Sequence, residues 1–223
     1  PQSVKEIVTT TASTIVINSS NIVYGIGYNE SYNLGIGNNV STNILQNCSL
    51  INSLNSIKQI ILNDKATFIL LNDNTVLGLG ESLMFHYLTE SLDQELMILK
   101  SPIELTRINN FIRTENYIIE RVDTGYQHLK FLLTNTDGDT EWWGVGRNAF
   151  NSMGVGKYID YDFDVKYMTR LHQIERFIHV DYDVNYVGSK LIDSTKYHLL
   201  RSKGIPVKFT AILDTSNRDI YVI

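Results

Sequence analysis

The sequence predicts an all-β protein built from repeated antiparallel sheets, and three observations support that prediction. A glycine pattern occurs twice, each copy follows two β-rich runs joined by polar residues, and the second glycine of successive pairs falls at Gly27, Gly80 and Gly146. The two intervals are 53 residues (27 to 80) and 66 residues (80 to 146). Self-similarity on this scale is typical of propeller blades or solenoid repeats.

The glycine pattern reads GIGYNESYNLGIG at 25–37 and GVGRNAFNSMGVG at 144–156, and a single pair, GLG, occupies 78–80. It matches neither the dinucleotide-binding G-x-G-x-x-G nor the P-loop G-x-x-x-x-G-K-[ST], since Glu30 and Ala149 stand where the third glycine of the former belongs. Glycine accepts left-handed backbone and close backbone approach, so we predict a structural role. The structural repeat glycines are Gly25, Gly27, Gly35, Gly37, Gly78, Gly80, Gly144, Gly146, Gly154 and Gly156.

Hairpin signatures precede the glycine pairs. The segments STIVINSSNIVYGIG, TFILLNDNTVLGLG and KFLLTNTDGDTEWWGVG each hold two β-rich runs separated by Asn, Ser, Asp or Gly, which favour tight turns. A fourth segment, FTAILDTSNRDIYVI at 209–223, repeats run, turn and run without a glycine pair after it. The sequence therefore predicts about three and a half units with almost no helix. A short helical turn within SLDQELMILK, at 91–100, is the one expected exception.

Together these elements resemble the repeat of the regulator of chromosome condensation family. The third unit carries most of the pattern, with Pro102, Gly125, His128, Leu133, Asp137, Gly138, Gly146, Asn148 and the MGVG run at 153–156. The first unit matches at Gly27, Asn29 and LGIG at 34–37, whereas Ile26, Leu79 and Val145 stand where the family usually has Trp. The resemblance implies a β-propeller of four-stranded blades around a central channel. Its repeat units are roughly 1–54, 55–100, 101–173 and 174–223 of a single domain, and the ring is incomplete in this chain.

Composition excludes several classes of function. The net charge is −5, with 19 Lys and Arg against 24 Asp and Glu, and no cluster of basic residues provides the phosphate contacts of a nucleic-acid-binding protein. The sequence has no run of 18 apolar residues and no signal-peptide order at its start, so we expect no membrane span. The single Cys48 favours a reducing compartment. We therefore expect an intracellular protein, cytoplasmic or nuclear.

No constellation of catalytic or metal-binding residues emerges. His86, His172, His179 and His198 show no metal-ligand spacing with Cys48, and the resemblance assigns His128 a structural role. Asp160, Asp162 and Asp164 could open a calcium loop, but Val165 replaces its glycine and Leu171 its glutamate. The sequence thus predicts a protein that is not an enzyme and that uses no cofactor and no metal.

Two segments, YIDYDFDVKY and FIHVDYDVNY, alternate apolar and acidic residues and are predicted to be half-buried strands with acidic outer sides. Their carboxylates form a candidate partner surface: Asp160, Asp162, Asp164, Asp181 and Asp183. A solvated strand face without a partner is the alternative.

Three functions fit these observations. The first is a non-catalytic protein-protein interaction scaffold or regulatory subunit, whose protein partner is basic or a small GTPase. The second, implied by the family resemblance, is a guanine-nucleotide exchange factor for a small GTPase. The third is a secreted inhibitor of a hydrolase, which the lack of a signal segment disfavours.

Overall fold

The computed structural model describes residues 3–82, 84–89, 98–125 and 127–147, with side chains as far as residue 146. It also describes the backbone of later strands at 164–170, 197–200, 211–214 and 220–222. In these parts of the chain the strands form four antiparallel sheets, and within each sheet a strand pairs with the strand that follows it in sequence. The all-β prediction is confirmed.

Sheet I contains β1 (Val4–Thr9), β2 (Ser13–Asn18), β3 (Val23–Gly27) and β4 (Thr42–Asn47). Sheet II contains β5 (Ile57–Leu62), β6 (Ala66–Leu71), β7 (Val76–Glu81) and β8 (Ile98–Glu104). Sheet III contains β9 (Ile118–Gly125), β10 (His128–Thr134), β11 (Thr140–Arg147) and β12 (Asp164–Arg170). Sheet IV contains β13 (Tyr197–Leu200), β14 (Ala211–Asp214) and β15 (Ile220–Val222).

The first strands of successive sheets meet one another. Strand β5 contacts both β1 and β9, so the first strand of each of these sheets lies toward the common axis and the fourth lies at the outer edge. This is the arrangement of propeller blades around a central channel. The described sheets do not close a ring.

The hydrophobic core lies between neighbouring sheets rather than within one. We call the side of a sheet that faces the following sheet its front side, and the side that faces the preceding sheet its back side. The front of sheet I, with Ile15 and Ile17, packs on the back of sheet II, with Ile69. The front of sheet II, with Phe68, packs on the back of sheet III, with Phe131. Consecutive residues of β6 therefore serve two cores, as the two-residue period of a strand requires.

Three short helices connect the strands in the described part of the chain: α1 (Ser49–Asn52), α2 (Met84–Leu88) and α3 (Thr106–Thr114). Helix α3 was not expected from the sequence. It buries Ile108 and Ile112, which lie four residues apart on one side of the helix. The expected helical turn at 91–100 lies partly outside the described residues, and residues 98–100 belong to strand β8.

The fourth strand of each of the first three sheets carries the same irregularity. In sheet I, Gly25 pairs with Gln46 and Gly27 with Thr42, so three residues of β4 oppose one residue of β3. Equivalent shifts occur between Gly78 and Gly80 in sheet II and between Gly144 and Gly146 in sheet III. Such bulges interrupt the ladder at an outer edge and discourage pairing with another chain. Strand β8 also runs across the repeat boundary placed at residue 100, so sheets and sequence repeats are offset there.

Candidate protein-interaction surface

The second glycine of each pair adopts one conformation in all three sheets. Its φ angle is +108° at Gly27, +96° at Gly80 and +117° at Gly146, in the region that L side chains rarely adopt. A Cβ at these positions would clash with the carbonyl oxygens of the residues that precede the second strands: Ala12, Lys65 and Gln127. Only glycine satisfies both conditions without strain.

The first glycine of the pair makes room for a side chain instead. A Cβ at Gly25 would lie 3.0 Å from Sγ of Cys48 and 3.1 Å from Cβ of Leu34. At Gly78 it would lie 2.9 Å from Cδ2 of Leu105 and would clash with Phe85. Gly144 is buried as well. These glycines let the outer connections of a sheet pack directly on its third strand.

The chain reverses at every strand, so the connections fall on two faces of the propeller. We call the face that carries loops 10–12, 28–41 and 63–65 the loop face, and the face that carries turns 19–22, 72–75 and 135–139 the turn face. A hydrogen bond from Oγ1 of Thr11 to Oδ1 of Asp64, at 3.5 Å, joins two connections on the loop face. On the turn face, the Asn74 carboxamide oxygen accepts a bond from the backbone N–H of Ile119, at 3.2 Å.

Asn29 organises the longest connection of the loop face, residues 28–41, which we call the glycine loop. Its side chain is fully buried, accepts a bond from the N–H of Leu34 at 2.9 Å, and donates one to the carbonyl of Asn38 at 2.7 Å. One carboxamide near the start of the loop is therefore bonded to the middle of the loop and to its last third. Gly35 and Gly37, at φ of +67° and +89°, provide the left-handed corners inside the loop.

Asn33 attaches the glycine loop to its surroundings. Its buried Nδ2 donates to Oγ of Ser13 and to the carbonyl of Tyr28, each at 3.1 Å. The backbone carbonyl of Asn33 accepts a bond from the hydroxyl of Thr67 in sheet II. Nearby, Oγ of Ser31 donates to Oε2 of Glu81 at 2.8 Å. The loop thus spans the junction between sheets I and II and is fixed to both.

Two asparagines on helices complete the third strands on the turn face. Asn52 of α1 donates to the carbonyl of Val23 at 2.9 Å and accepts from its N–H at 2.8 Å. Asn109 of α3 makes the same two bonds to Val76, at 3.0 and 2.9 Å. Val23 and Val76 are the first residues of β3 and β7. One carboxamide satisfies both backbone groups at each strand end, as a neighbouring strand would.

Sheet II is joined to sheet III near the axis by similar carboxamide bonds. Gln59 of β5 donates to the carbonyl of Val122 at 2.8 Å and accepts from the Val122 N–H at 3.0 Å. Asn63 donates to the carbonyl of Gly125 at 3.1 Å. These bonds use the edge of β9 that β10 does not cover, so they fix the two sheets against each other.

No family model matches the chain, and no curated protein matches it either. Solved structures do match. Yeast RCC1 (Prp20), from its structure with Kap60 bound, aligns with a TM-score of 0.61 at 16% identity, over 99% of this chain and 43% of the matched chain. Human WBSCR16 aligns with a TM-score of 0.54 at 16% identity, over 98% of this chain and 46% of that one. Prp20p from Saccharomyces cerevisiae aligns with a TM-score of 0.56 at 16% identity, over 96% of this chain and 45% of the matched chain.

The fold is that of the RCC1-type propellers. The chain spans less than half the length of these matched structures. Within this chain, the left-handed glycine recurs in sheets I, II and III, and the helix asparagine recurs in sheets I and II.

His128 is the histidine of the Gly-x-x-His element that begins at Gly125. It opens β10, is buried, and pairs in register with Gly125 and Gly146. A Cβ at Gly125 would clash with the imidazole ring, so the glycine three residues earlier provides the space for it. The geometry is that of a packing contact within sheet III.

The front side of sheet III differs from those of sheets I and II because it carries charged side chains. Lys130 is buried and lies opposite Asp123 in the strand register. Nε of Arg121 lies 2.7 Å from Oδ2 of Asp123. Cζ of the Arg121 guanidinium lies 5.3 Å from the centre of the Trp142 ring. Burial lowers the pKa of Lys130 to about 7, although the charge of Asp123 acts in the opposite direction.

The candidate acidic surface falls largely outside the described residues. Asp164 begins strand β12 and pairs with Arg147, whereas Asp160, Asp162, Asp181 and Asp183 lie outside the described part, as do Gly154 and Gly156. The acidic surface therefore stays a prediction. Among the residues with described placement, no group of three or more His, Cys, Asp or Glu is positioned to hold a metal ion. None of the described helices is long and apolar enough to cross a bilayer.

Sequence reasoning missed the carboxamides that hold this surface together: Asn33, Asn52, Gln59 and Asn109. Isolated Asn and Gln residues in an Asn-rich sequence carry little information by themselves. A signal was nevertheless present, because SLIN at 49–52 and TRIN at 106–109 share the pattern Ser/Thr-x-Ile-Asn. Each asparagine also follows the last residue of an outer strand by the same five positions, Asn47 to Asn52 and Glu104 to Asn109.

Proposed function

We propose that this chain is a protein-binding scaffold that presents the loop face of an RCC1-type propeller to a protein partner. The observation that carries the proposal is the double attachment of the glycine loop. Asn29 ties the loop to itself, and Asn33 and Ser31 tie it to sheets I and II. A surface loop held in this way loses little conformational freedom when a partner binds, so more of the contact energy remains as affinity.

The comparisons support a protein as the partner. The matched Prp20 structures concern its complex with Kap60 and its binding to Gsp1p and histones, which are all proteins. The candidate acidic surface adds a second part to the proposal, because Asp160, Asp162, Asp164, Asp181 and Asp183 would attract a basic partner. An intracellular location, cytoplasmic or nuclear, belongs to the same proposal.

The test compares three surfaces of one folded protein. A partner is first captured with the wild-type chain, identified by mass spectrometry and purified. Its Kd is then measured for a loop-face variant (Thr11→Ala, Glu30→Ala, Lys65→Ala) and for a turn-face variant (Ser20→Ala, Asp73→Ala, Asp137→Ala), all at exposed or half-exposed positions. The loop-face variant should weaken binding about tenfold or more, as loss of central contacts does, and the turn-face variant should not.

The acidic surface has its own readout. For the Asp160→Asn, Asp162→Asn, Asp164→Asn variant, the association rate should fall at low salt and approach the wild-type rate as salt increases, since charge steering is screened. Equal effects of the loop-face and turn-face variants would overturn the scaffold proposal. An association rate that the acidic variant does not change at either salt concentration would remove the acidic surface from it.

A second function, guanine-nucleotide exchange, is favoured by one observation, the fold shared with Prp20p, whose binding to Gsp1p was studied together with its structure. We propose it as the alternative. Release of a fluorescent guanine nucleotide from a purified small GTPase should accelerate when the chain is added. The loop-face variant should lose the acceleration and the turn-face variant should retain it, whereas an unchanged release rate with the wild-type chain would eliminate exchange.

A further inference from the structure

Tyr32, in the glycine loop, has a backbone conformation that bulky residues rarely adopt. Its φ angle is +67°. Steric contact of Cβ makes this left-handed region costly, least so for Asn and Asp. Strained residues of this kind persist mainly at binding and active sites. In the described part of the chain, the other residues with positive φ, glycines apart, are all polar: Asn21, Ser56, Asn74, Asn116 and Gln127.

The loop requires the left-handed backbone at this position but not the tyrosine. The N–H of Tyr32 donates to the carbonyl of Asn29 at 2.8 Å, and its carbonyl accepts a bond from the N–H of Gly35 at 3.2 Å. Both backbone groups are therefore used inside the loop. In the second copy of the glycine pattern, at 144–156, the same sequence position holds Asn151, a residue type that tolerates this conformation. The tyrosine side chain therefore serves a purpose other than building the loop.

The surroundings of the side chain indicate what that purpose is. Tyr32 is half-buried, and Nζ of the exposed Lys100 lies 5.9 Å from the centre of its ring. Within the described residues, the Tyr32 hydroxyl makes no hydrogen bond and Lys100 forms no ion pair. A neutral donor and a positively charged donor are thus both available beside the glycine loop.

We propose that Tyr32 and Lys100 bind a carboxylate of the protein partner, from an Asp or Glu side chain on the partner's surface. A phenol hydroxyl and an ammonium group both donate to a carboxylate, and bonds that involve charged groups are the stronger ones. The fixed backbone of Tyr32 limits the conformational freedom that binding would remove. This inference rests on the scaffold function proposed above and names one contact of the same face. A partner that is basic overall can still carry such a carboxylate.

The test uses the intact 223-residue chain and the partner purified for the loop-face comparison, with Kd measured by isothermal titration calorimetry. Tyr32→Phe removes only the hydroxyl and should raise Kd about fivefold, as the loss of one hydrogen bond does. Tyr24→Phe is the matched control, because Tyr24 is a half-buried tyrosine in β3, outside the glycine loop. Its Kd should equal that of the wild type.

Lys100→Gln removes the charge and keeps a side chain of similar length. Its Kd should rise about fivefold at low salt and less at high salt, because salt screens the attraction between exposed charges. The effect of Tyr32→Phe should persist at high salt. An effect of Lys100→Gln that salt does not change would contradict a charged contact with the partner.

Tyr32→Asn separates binding from folding. Asparagine removes the ring and tolerates the left-handed backbone, so relief of strain should offset the lost ring contacts. The midpoint of thermal unfolding should stay within about 2 °C of the wild-type value, while Kd rises about tenfold or more. A larger fall in the midpoint would overturn the proposal, since the ring would then be needed for the loop itself.

The outcomes distinguish this inference from the scaffold proposal. If the loop-face variant weakens binding and the Tyr32 and Lys100 variants bind like the wild type, this inference is overturned and the scaffold proposal stands. If the loop-face and turn-face variants weaken binding equally, both are overturned. Equal effects of Tyr32→Phe and Tyr24→Phe would also overturn the inference, because the position of the hydroxyl would then not matter.

Discussion

Sheets II and III share one backbone frame and differ in what they place on the front side. The central row of sheet II runs Ile61, Phe68, Gly78, and the same row of sheet III runs Asp123, Lys130, Gly144. Sheet I follows sheet II, with Val8, Ile15 and Gly25. The glycine is therefore kept in every row, while the apolar pair of sheets I and II is replaced in sheet III by a buried lysine and a buried aspartate.

This difference separates two kinds of information in the repeat. The glycines and the helix carboxamides fix the path of the backbone, which every sheet needs in order to pack beside another. The side chains of the front row determine which interactions hold a sheet against the sheet that follows it. A charged residue can replace an apolar one in such a row only together with a residue of opposite charge, since a buried charge without a partner would lower the stability by several kcal/mol.

The largest effect should come from breaking the shared frame. Gly80→Ala combines left-handed backbone with a clash against the carbonyl of Lys65, and should lower the free energy of unfolding by about 2–4 kcal/mol. Gly138 is the matched control, because it has a φ of +87° but no atom within 4 Å of a Cβ. Gly138→Ala should cost about 1 kcal/mol. Urea unfolding of both variants measures the difference, and equal losses would show that the close approach contributes nothing.

The next effect concerns the carboxamide that completes β7. Asn109→Ala leaves the buried N–H of Val76 without its partner and removes one of the two bonds to the Val76 carbonyl, which keeps the bond from the Leu105 N–H. The variant should cost about 2–4 kcal/mol. Asn52→Ala removes the same two bonds from Val23 at a more exposed site and should cost about half as much. Thr114→Ala, at the exposed end of α3, is the control and should change stability by less than about 0.5 kcal/mol. A larger loss of stability for Asn52→Ala than for Asn109→Ala in thermal unfolding would contradict this explanation.

The smallest change in stability should come from an exposed ion pair on the protein surface. Lys65 and Glu81 form an ion pair with an N–O distance of 3.3 Å at an exposed site near the loop face. Exposed pairs of this kind contribute little, so Lys65→Ala should lower stability by no more than about 0.5 kcal/mol. The small difference should shrink further in high salt. A loss comparable to that of Asn52→Ala would mean that the loop face depends on charge rather than on its carboxamides.

The sequence predicted the sheets well because their signals are local. Hairpin runs, Asn-rich turns and glycine pairs lie within about 15 residues of one another, and each reflects a backbone requirement that one residue type meets best. The RCC1-type fold was expected on these grounds and is confirmed. Helix α3 was missed because its segment, TRINNFIRT, contains β-branched and polar residues of modest helix propensity, and packing of Ile108 and Ile112 stabilises it instead.

The candidate site was harder to predict because its contacts are distant in sequence. Gln59 meets Val122 across 63 positions, and Asn33 meets Thr67 across 34. Nothing near Asn33 in the sequence indicates that its carboxamide is buried between two sheets. The charged front row of sheet III is similar, because Lys130 and Asp123 lie in separate strands and look like ordinary surface residues until the register is known.

The contrast between sheets II and III is tested most directly by the pH dependence of stability in Lys130→Met. The pKa of Lys130 is lowered by burial from 10.5 to about 7, so between these values the unfolded chain binds a proton that the folded chain has released. Stability from this group is lowest below about pH 7 and rises as the pH increases toward 10.5. Urea unfolding should therefore show the wild type gaining stability relative to Lys130→Met between about pH 7 and pH 9, since the other titrating groups are common to both proteins. Parallel profiles for the two proteins, or a difference that falls with rising pH, would contradict a buried lysine in the front row of sheet III.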